Sequence, residues 1–165
     1  MKLGYKLIAI LLPVFVAAIW GCEQDGTCGF GEQTDYVVFG SFYGYCIGEG
    51  CIDIYKIDQT HLFEDTLDMY PQSDDFYPGH FTTRWANEKF ELVKDLKLFF
   101  PESLLNETEV IQGHPDAGDW GGIYFEIKRG NTHRFWLLDQ RDEDMPADYN
   151  AFVDKINEKI TLINQ

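Results

Sequence analysis

Basic residues are scarce in this sequence. The 165 residues include 13 lysines and arginines against 28 aspartates and glutamates, which gives a formal net charge of −15 at pH 7. Binding to nucleic acid, and electrostatic adhesion to anionic lipid, both require a basic protein surface. The charge balance therefore argues against a nucleic-acid partner and against a membrane contact that is driven by charge.

The sequence also lacks the short motifs that mark common catalytic and cofactor sites. It contains no Gly-x-Ser-x-Gly elbow, no His-Glu-x-x-His pair and no phosphate-binding loop. We therefore predict no cofactor, and the sequence leaves open whether the chain is an enzyme.

No apolar run is long enough for a membrane-spanning helix, which needs about 20 residues. The longest run covers residues 7–20, is interrupted by Pro13 and ends just before Gly21 and Cys22. Two lysines precede the run, and polar residues follow it at once. A basic start followed by an apolar stretch of this length is typical of a secretory signal peptide.

The residues around Cys22 resemble a bacterial lipobox, in which a peptidase cuts before an acylated cysteine. Gly21 supplies the small residue before the cut, whereas Trp20 departs from the motif. We predict that 1–21 is a signal peptide and that Cys22 carries palmitate-type acyl chains. Residues 22–34 would then be a glycine-rich tether. Such a lipid would hold the protein at the outer membrane, on its periplasmic or surface face. The alternative is an ordinary signal peptide that is cut elsewhere.

Residues 35–165 have the composition of a single folded domain, because aromatic residues make up 16% of the chain. The dipeptide Gly130-Asn131 between two apolar runs predicts a two-residue hairpin turn. Alternating βα units are absent. We therefore predict an α+β fold with an antiparallel sheet and two helices packed on one face. Aromatic and β-branched runs place its strands at 35–46, 51–57, 61–69, 76–84, 122–129 and 132–138.

Two segments have apolar residues at helical spacing. Asn87 is a candidate N-cap for a helix over 88–99, which Pro101 would end. Pro146 suits the first position of a C-terminal helix. The predicted buried face of that helix consists of Tyr149, Phe152, Val153, Ile156, Ile160 and Ile163.

Three cysteines remain once Cys22 is lipidated. Paired cysteines in exported proteins usually form disulfides. A hairpin over 35–57 would set Cys46 opposite Cys51, so we predict a disulfide between them. Cys28 would be left over in the tether. Free thiols and a metal site are the alternatives, and the spacing suits zinc, although two ligands do not make a site.

A glycine-rich loop at 113–122 is a second candidate site. It places His114, Asp116, Asp119 and Trp120 just before a predicted strand, and such loops often carry function. A histidine with two carboxylates could bind a divalent cation or another ligand. The same residue types also serve the backbone of a purely structural turn.

Two stretches resemble a group of uncharacterised exported lipoproteins of Bacteroidota. The first is 39–57, with its two cysteines, and the second runs from Pro115-Asp116 through Asp119 to a Gly-Gly pair and a strand. In that group cysteines flank the Pro-Asp pair, whereas this chain has His114 and Ala117 there. The resemblance implies a cell-envelope location and no particular activity.

We therefore expect a cell-envelope lipoprotein that acts as a binding or interaction module. Its partners would be the membrane, through the lipid, and a glycan or protein that contacts Trp85, Trp120 or Trp136. The alternative is a hydrolytic or metal-dependent enzyme at the 113–122 loop.

Overall fold

A computed structural model describes residues 35–48, 50–141, 143 and 145–165 of the chain. The predicted signal peptide, the lipidation site Cys22, the tether and Cys28 lie outside these residues.

Two α-helices are described, α1 (Asn87–Val93) and α2 (Ala147–Ile163), with short 3-10 helices at Leu96–Phe99, Glu102–Asn106 and Ala117–Asp119. The strands are β1 (Tyr36–Phe42), β2 (Ile52–Ile57), β3 (Leu62–Glu64), β4 (Thr83–Arg84), β5 (Ile111–Gln112), β6 (Gly122–Arg129) and β7 (Thr132–Asp139).

The seven described strands form one sheet in the order β4-β3-β2-β1-β6-β7-β5. All neighbouring pairs are antiparallel except β5 with β7, which is parallel. The α+β prediction with a mostly antiparallel sheet is therefore confirmed. None of the described helices is long and apolar enough to span a membrane.

The β6–β7 hairpin follows its sequence signal. Arg129 pairs with Thr132, and Gly130-Asn131 forms the turn between them. Gly130 has a φ of +55°, a left-handed conformation that glycine adopts at little cost.

Both α-helices pack on one face of the sheet, as predicted. Every residue of the predicted apolar face of α2 is buried there, against strand residues such as Phe39, Phe125 and Trp136. Helix α1 ends earlier than predicted, at Val93, and Ala86 rather than Asn87 occupies its N-cap position. The Lys159 ammonium of α2 donates to the carbonyl of Leu92, and a cation at a helix C-terminus stabilises that end.

The other face of the sheet is covered by an irregular segment, residues 65–82, which the sequence analysis assigned mostly to strands. The predicted strands 61–69 and 76–84 shrink to β3 and β4. The reason is Asp65, a buried carboxylate that accepts hydrogen bonds from the backbone of Asp68 and His80 and from the Tyr77 hydroxyl. These bonds replace a strand ladder and fold the segment back onto the sheet.

Candidate ligand-binding surface at the disulfide loop

Three irregular segments meet at the end of the sheet where β1 finishes. They are the loop 43–51 between β1 and β2, residues 67–70 of the covering segment, and the loop 113–121 before β6. We call this end of the molecule the disulfide-loop surface. It combines both candidate sites of the sequence analysis.

The predicted Cys46–Cys51 disulfide is confirmed, with a Cα–Cα distance of 5.6 Å. Its setting differs from the prediction, because strand pairing stops at Phe42 with Ile52. The Tyr43 amide then donates to the Cys51 carbonyl at 2.9 Å, so Cys46 lies in the loop and not opposite Cys51 in the ladder. The bond therefore closes the loop across itself instead of joining two strands.

Asp116 ties the three segments together. One carboxylate oxygen accepts the Gly44 amide at 2.8 Å and the Tyr70 hydroxyl at 2.9 Å, and the other accepts the Gly121 amide at 3.1 Å. A Cβ atom at Gly44 would lie 2.4 Å from the carboxylate, so this close approach requires glycine. Burial, the hydrogen bond to Asp116 and the charge of that carboxylate raise the pKa of Tyr70 to about 12.

The other predicted loop residues do not gather around a cation. The His114 amide donates to the buried carboxylate of Asp139 at 2.8 Å, while Asp119 is exposed and has a φ of +65°. Across the described residues, no group of three or more His, Cys, Asp or Glu side chains could hold a metal ion. The loop is thus organised by hydrogen bonds within its own backbone and to Gly44, Tyr70 and Asp139.

Of the three tryptophans expected to contact a ligand, only Trp120 is well exposed. Its side chain is 59% exposed, and the Arg141 guanidinium lies 5.0 Å from the ring centre. Trp136 is fully buried, so its expected contact with a ligand is wrong. Trp85 packs against the core and donates its indole N–H to Glu64 at 3.2 Å.

The disulfide loop supplies exposed residues that the sequence analysis did not select. Tyr45 is 88% exposed and Ile47 is fully exposed, on either side of Cys46. The same loop borders a cavity of about 320 Å³, which is lined by Tyr43, Tyr70, Asp68, Ile52 and the disulfide. The Gln140 amide donates at 3.3 Å both to the Tyr43 hydroxyl and to the Trp120 carbonyl, which joins Trp120 to the same surface. The missed signal was the pair of apolar residues that flank Cys46 in a loop with three glycines.

A buried polar cluster on the covered face of the sheet was also missed. The Glu126 carboxylate accepts hydrogen bonds from the hydroxyls of Tyr36 and Tyr124 at 2.9 and 2.7 Å, and it contacts the His133 ring at 2.8 Å. Burial, followed by the charge of Glu126, raises the pKa of both tyrosines above the ordinary value. Phe76 stacks on His133 with ring centres 3.9 Å apart. These contacts satisfy a carboxylate buried between sheet and covering segment, so we assign the cluster a structural role.

No protein-family model, curated protein or solved structure matches this chain.

Proposed function

We propose that this protein is a lipid-anchored module of the cell envelope that binds a partner protein through the disulfide-loop surface. The observation that carries the proposal is the exposure of Tyr45, Ile47 and Trp120 on loops that are fixed by a disulfide and by Asp116. Large exposed apolar patches on protein surfaces mark interaction sites.

The chemistry of the surface favours a protein partner. Tyrosine, tryptophan and arginine dominate the energetics of protein–protein interfaces, and this surface presents Tyr45, Trp120 and Arg141. Ile47 adds an aliphatic side chain, which has no flat face for stacking on a sugar. Arg141 lies over the indole of Trp120, so it also limits sugar stacking there.

Fixed loops support binding because less freedom is lost when the partner arrives. The disulfide closes the tip of loop 43–51, and Asp116 holds the base of the same loop through the Gly44 amide. Tyr45 and Ile47 are therefore presented from a loop that is constrained on both sides.

Strand β1 separates the disulfide-loop surface from the point where the N-terminal segment joins the domain. Asp35, the first described residue, precedes β1, and the disulfide loop follows it. Seven strand residues span about 20 Å at about 3.3 Å per residue. A lipid on Cys22 would therefore be joined, through residues 23–34, to the end of β1 that lies opposite the disulfide-loop surface.

A glycan is the second candidate ligand, and the cavity beside the disulfide is the observation that favours it. Tyr43 and Tyr70 line that cavity together with Asp68, which is the mixture of aromatic rings and polar oxygens that sugars require. The enzyme alternative gains less support, because both carboxylate oxygens of Asp116 already accept hydrogen bonds from the loop framework.

Photo-crosslinking in the producing cells tests the proposal. A benzophenone amino acid replaces Tyr45 or Trp120 in the full chain, and replaces Asp154 on the exposed side of α2 as the matched control. We expect a discrete protein adduct from the first two positions and none from the third. The same adducts at position 154, or no protein adduct at positions 45 and 120, would refute a protein-binding surface here. An adduct with polysaccharide alone would favour the glycan.

The anchor has a separate test. We expect Cys22→Ser to abolish acyl labelling and to release the protein from the membrane fraction. Unchanged acylation and fractionation would show that the lipid is not on Cys22.

A further inference from the structure

Two consecutive apolar residues are exposed at the end of β1 that lies opposite the disulfide loop. Leu98 is 77% exposed and Phe99 is 45% exposed, both in the 3-10 helix that follows α1. Leu98 lines a groove of about 1050 Å³, which opens between this helical segment and the ends of β1, β2 and β6. The apolar floor of the groove consists of Val37, Ile57, Phe90, Phe100 and Ile127.

The N-terminal segment joins the domain at this groove. Asp35 is one of the residues that line it. Cys22 lies 13 residues upstream of Asp35, a length of chain that spans at most about 45 Å in any conformation. A lipid on Cys22 would therefore keep Asp35 within about 45 Å of the membrane surface, a distance that allows Leu98 to reach the lipid.

The groove also lacks the negative charge that characterises the chain. Four basic residues, Lys94, Lys97, Lys128 and Arg129, stand against four acidic residues, Asp35, Asp58, Asp95 and Glu102, whereas the whole chain has a net charge of −15. One charge of each sign is joined in the ion pair of Glu102 with Arg129 at 2.6 Å, so the charge of the groove stays balanced. An anionic lipid surface would therefore be repelled less by this groove than by the chain as a whole.

Lysines flank the exposed apolar pair. Lys97 precedes Leu98, and the Lys155 ammonium of α2 lies 4.9 Å from the centre of the Phe99 ring and pairs with the Glu158 carboxylate. Lysine stems lie along apolar surface while their charged ends stay in water, which is the arrangement of protein segments that rest at a membrane interface.

We propose that Leu98 and Phe99 enter the interface of the phospholipid membrane, so that the groove end of the domain rests on the lipid surface. The inference rests on the lipid anchor of the proposed function and adds an orientation to it. The contact is apolar, which is consistent with the acidic composition of the chain. It sets the disulfide-loop surface on the side of the domain that faces away from the membrane.

Depth-dependent quenching tests this orientation with the full lipidated chain. In a Cys28→Ser background, Leu98→Cys carries an environment-sensitive fluorophore, and Leu67→Cys, an exposed leucine near the disulfide loop, is the matched control. The protein is reconstituted in vesicles of phosphatidylethanolamine and phosphatidylglycerol, with and without nitroxide-labelled lipid. We expect nitroxide lipid to reduce the emission of the Leu98 label and to leave that of the Leu67 label unchanged.

Three results would overturn the proposal. Equal quenching of both labels would show no preferred orientation, and no quenching of either label on vesicle-bound protein would show that the domain stands off the lipid. A Leu98 label that is already shielded in detergent would show that another protein surface covers it. Flotation of the Cys22→Ser protein with the same vesicles tests the anchor independently, because loss of flotation concerns Cys22 alone.

Discussion

At the scale of single residues, Asp116 has the largest influence on the disulfide-loop surface. It combines a left-handed backbone, with a φ of +61°, and a carboxylate that accepts three hydrogen bonds from other parts of the surface. Aspartate and asparagine tolerate this backbone conformation better than other non-glycine residues. Only aspartate offers acceptor oxygens to all three donors.

Replacing Asp116 with asparagine should therefore destabilise the fold without straining the backbone. The amide group would face a hydrogen-bond donor, and we expect a loss of about 1–3 kcal/mol in the free energy of unfolding. Asp119→Asn is the matched control, since Asp119 also has a positive φ and the same charge is removed. Urea titrations of the two variants check this, and equal stability losses would argue against the assigned role of Asp116.

The same substitution should change the titration of Tyr70. The pKa of Tyr70 is raised to about 12, chiefly by burial and then by the hydrogen bond and charge of Asp116. Because the folded-state pKa exceeds the ordinary value of about 10, this tyrosine stabilises the fold fully below about pH 10. That contribution is lost as the pH rises toward about 12.

We expect Asp116→Asn to lower the pKa of Tyr70 toward the ordinary tyrosine value. Ultraviolet titration checks this. The titration curve of a Tyr70→Phe variant is subtracted, both in the wild type and in Asp116→Asn, so that the remaining signal comes from Tyr70 alone. An unchanged pKa in Asp116→Asn would contradict the hydrogen bond between the two side chains.

At the scale of elements, the disulfide loop is the part of the surface that depends most on a covalent bond. The Cys46–Cys51 ring closes only a short segment, so the loop-entropy estimate for its contribution is about 2 kcal/mol. We expect the double variant Cys46→Ser/Cys51→Ser to lose about that much stability and to bind its partner more weakly. The melting temperature and the affinity for the partner, both measured for the double variant and for the wild type, check this. Unchanged binding would mean that the loop needs no covalent constraint.

Helix α2 has a structural role in the core of the domain. Ile156 is fully buried between α2 and the sheet, and removing most of a buried isoleucine costs about 2–5 kcal/mol. We expect Ile156→Ala to lower the melting temperature clearly, while Asp154→Ala on the exposed side has little effect. Equal melting temperatures for the two variants would show that α2 is not needed to hold the core.

Elements with a strong local signal were predicted correctly. The β6–β7 hairpin has a Gly-Asn turn, and α2 repeats apolar residues at steps of three and four. The covering segment 65–82 was mistaken for strands, because its fold depends on the hydrogen bonds of Asp65 to residues up to 15 positions away. Residue spacing along the chain does not reveal bonds of that kind.

The parts of the candidate site were predicted from the sequence, but their association on one surface was not. Cys46–Cys51 and the 113–122 loop were selected separately, and Trp120 was one of three tryptophans considered. These parts lie on one surface because the Asp116 carboxylate accepts hydrogen bonds from Gly44 and Tyr70. These two residues lie 72 and 46 positions earlier in the chain. Tertiary contacts over such separations follow from the sheet order, which sequence spacing does not specify.

At the scale of the whole molecule, the two ends of β1 have different surfaces. One end presents Tyr45, Ile47 and Trp120 around the disulfide, and the other presents Leu98 and Phe99 beside the groove where the N-terminal segment joins. A ligand surface at the first end and a lipid-facing surface at the second, as proposed above, would suit an anchored binding module.

The central claim, that the disulfide-loop surface binds the partner, is tested most directly by the affinity of the crosslinked partner for the purified full chain. Trp120→Ala removes a well-exposed side chain without opening a cavity in the core, and Leu98→Ala does the same at the opposite end. A tryptophan central to an interface contributes enough that its loss weakens binding by about tenfold or more. We expect that loss for Trp120→Ala and wild-type affinity for Leu98→Ala. Wild-type affinity in Trp120→Ala, or equal weakening by both substitutions, would contradict the claim.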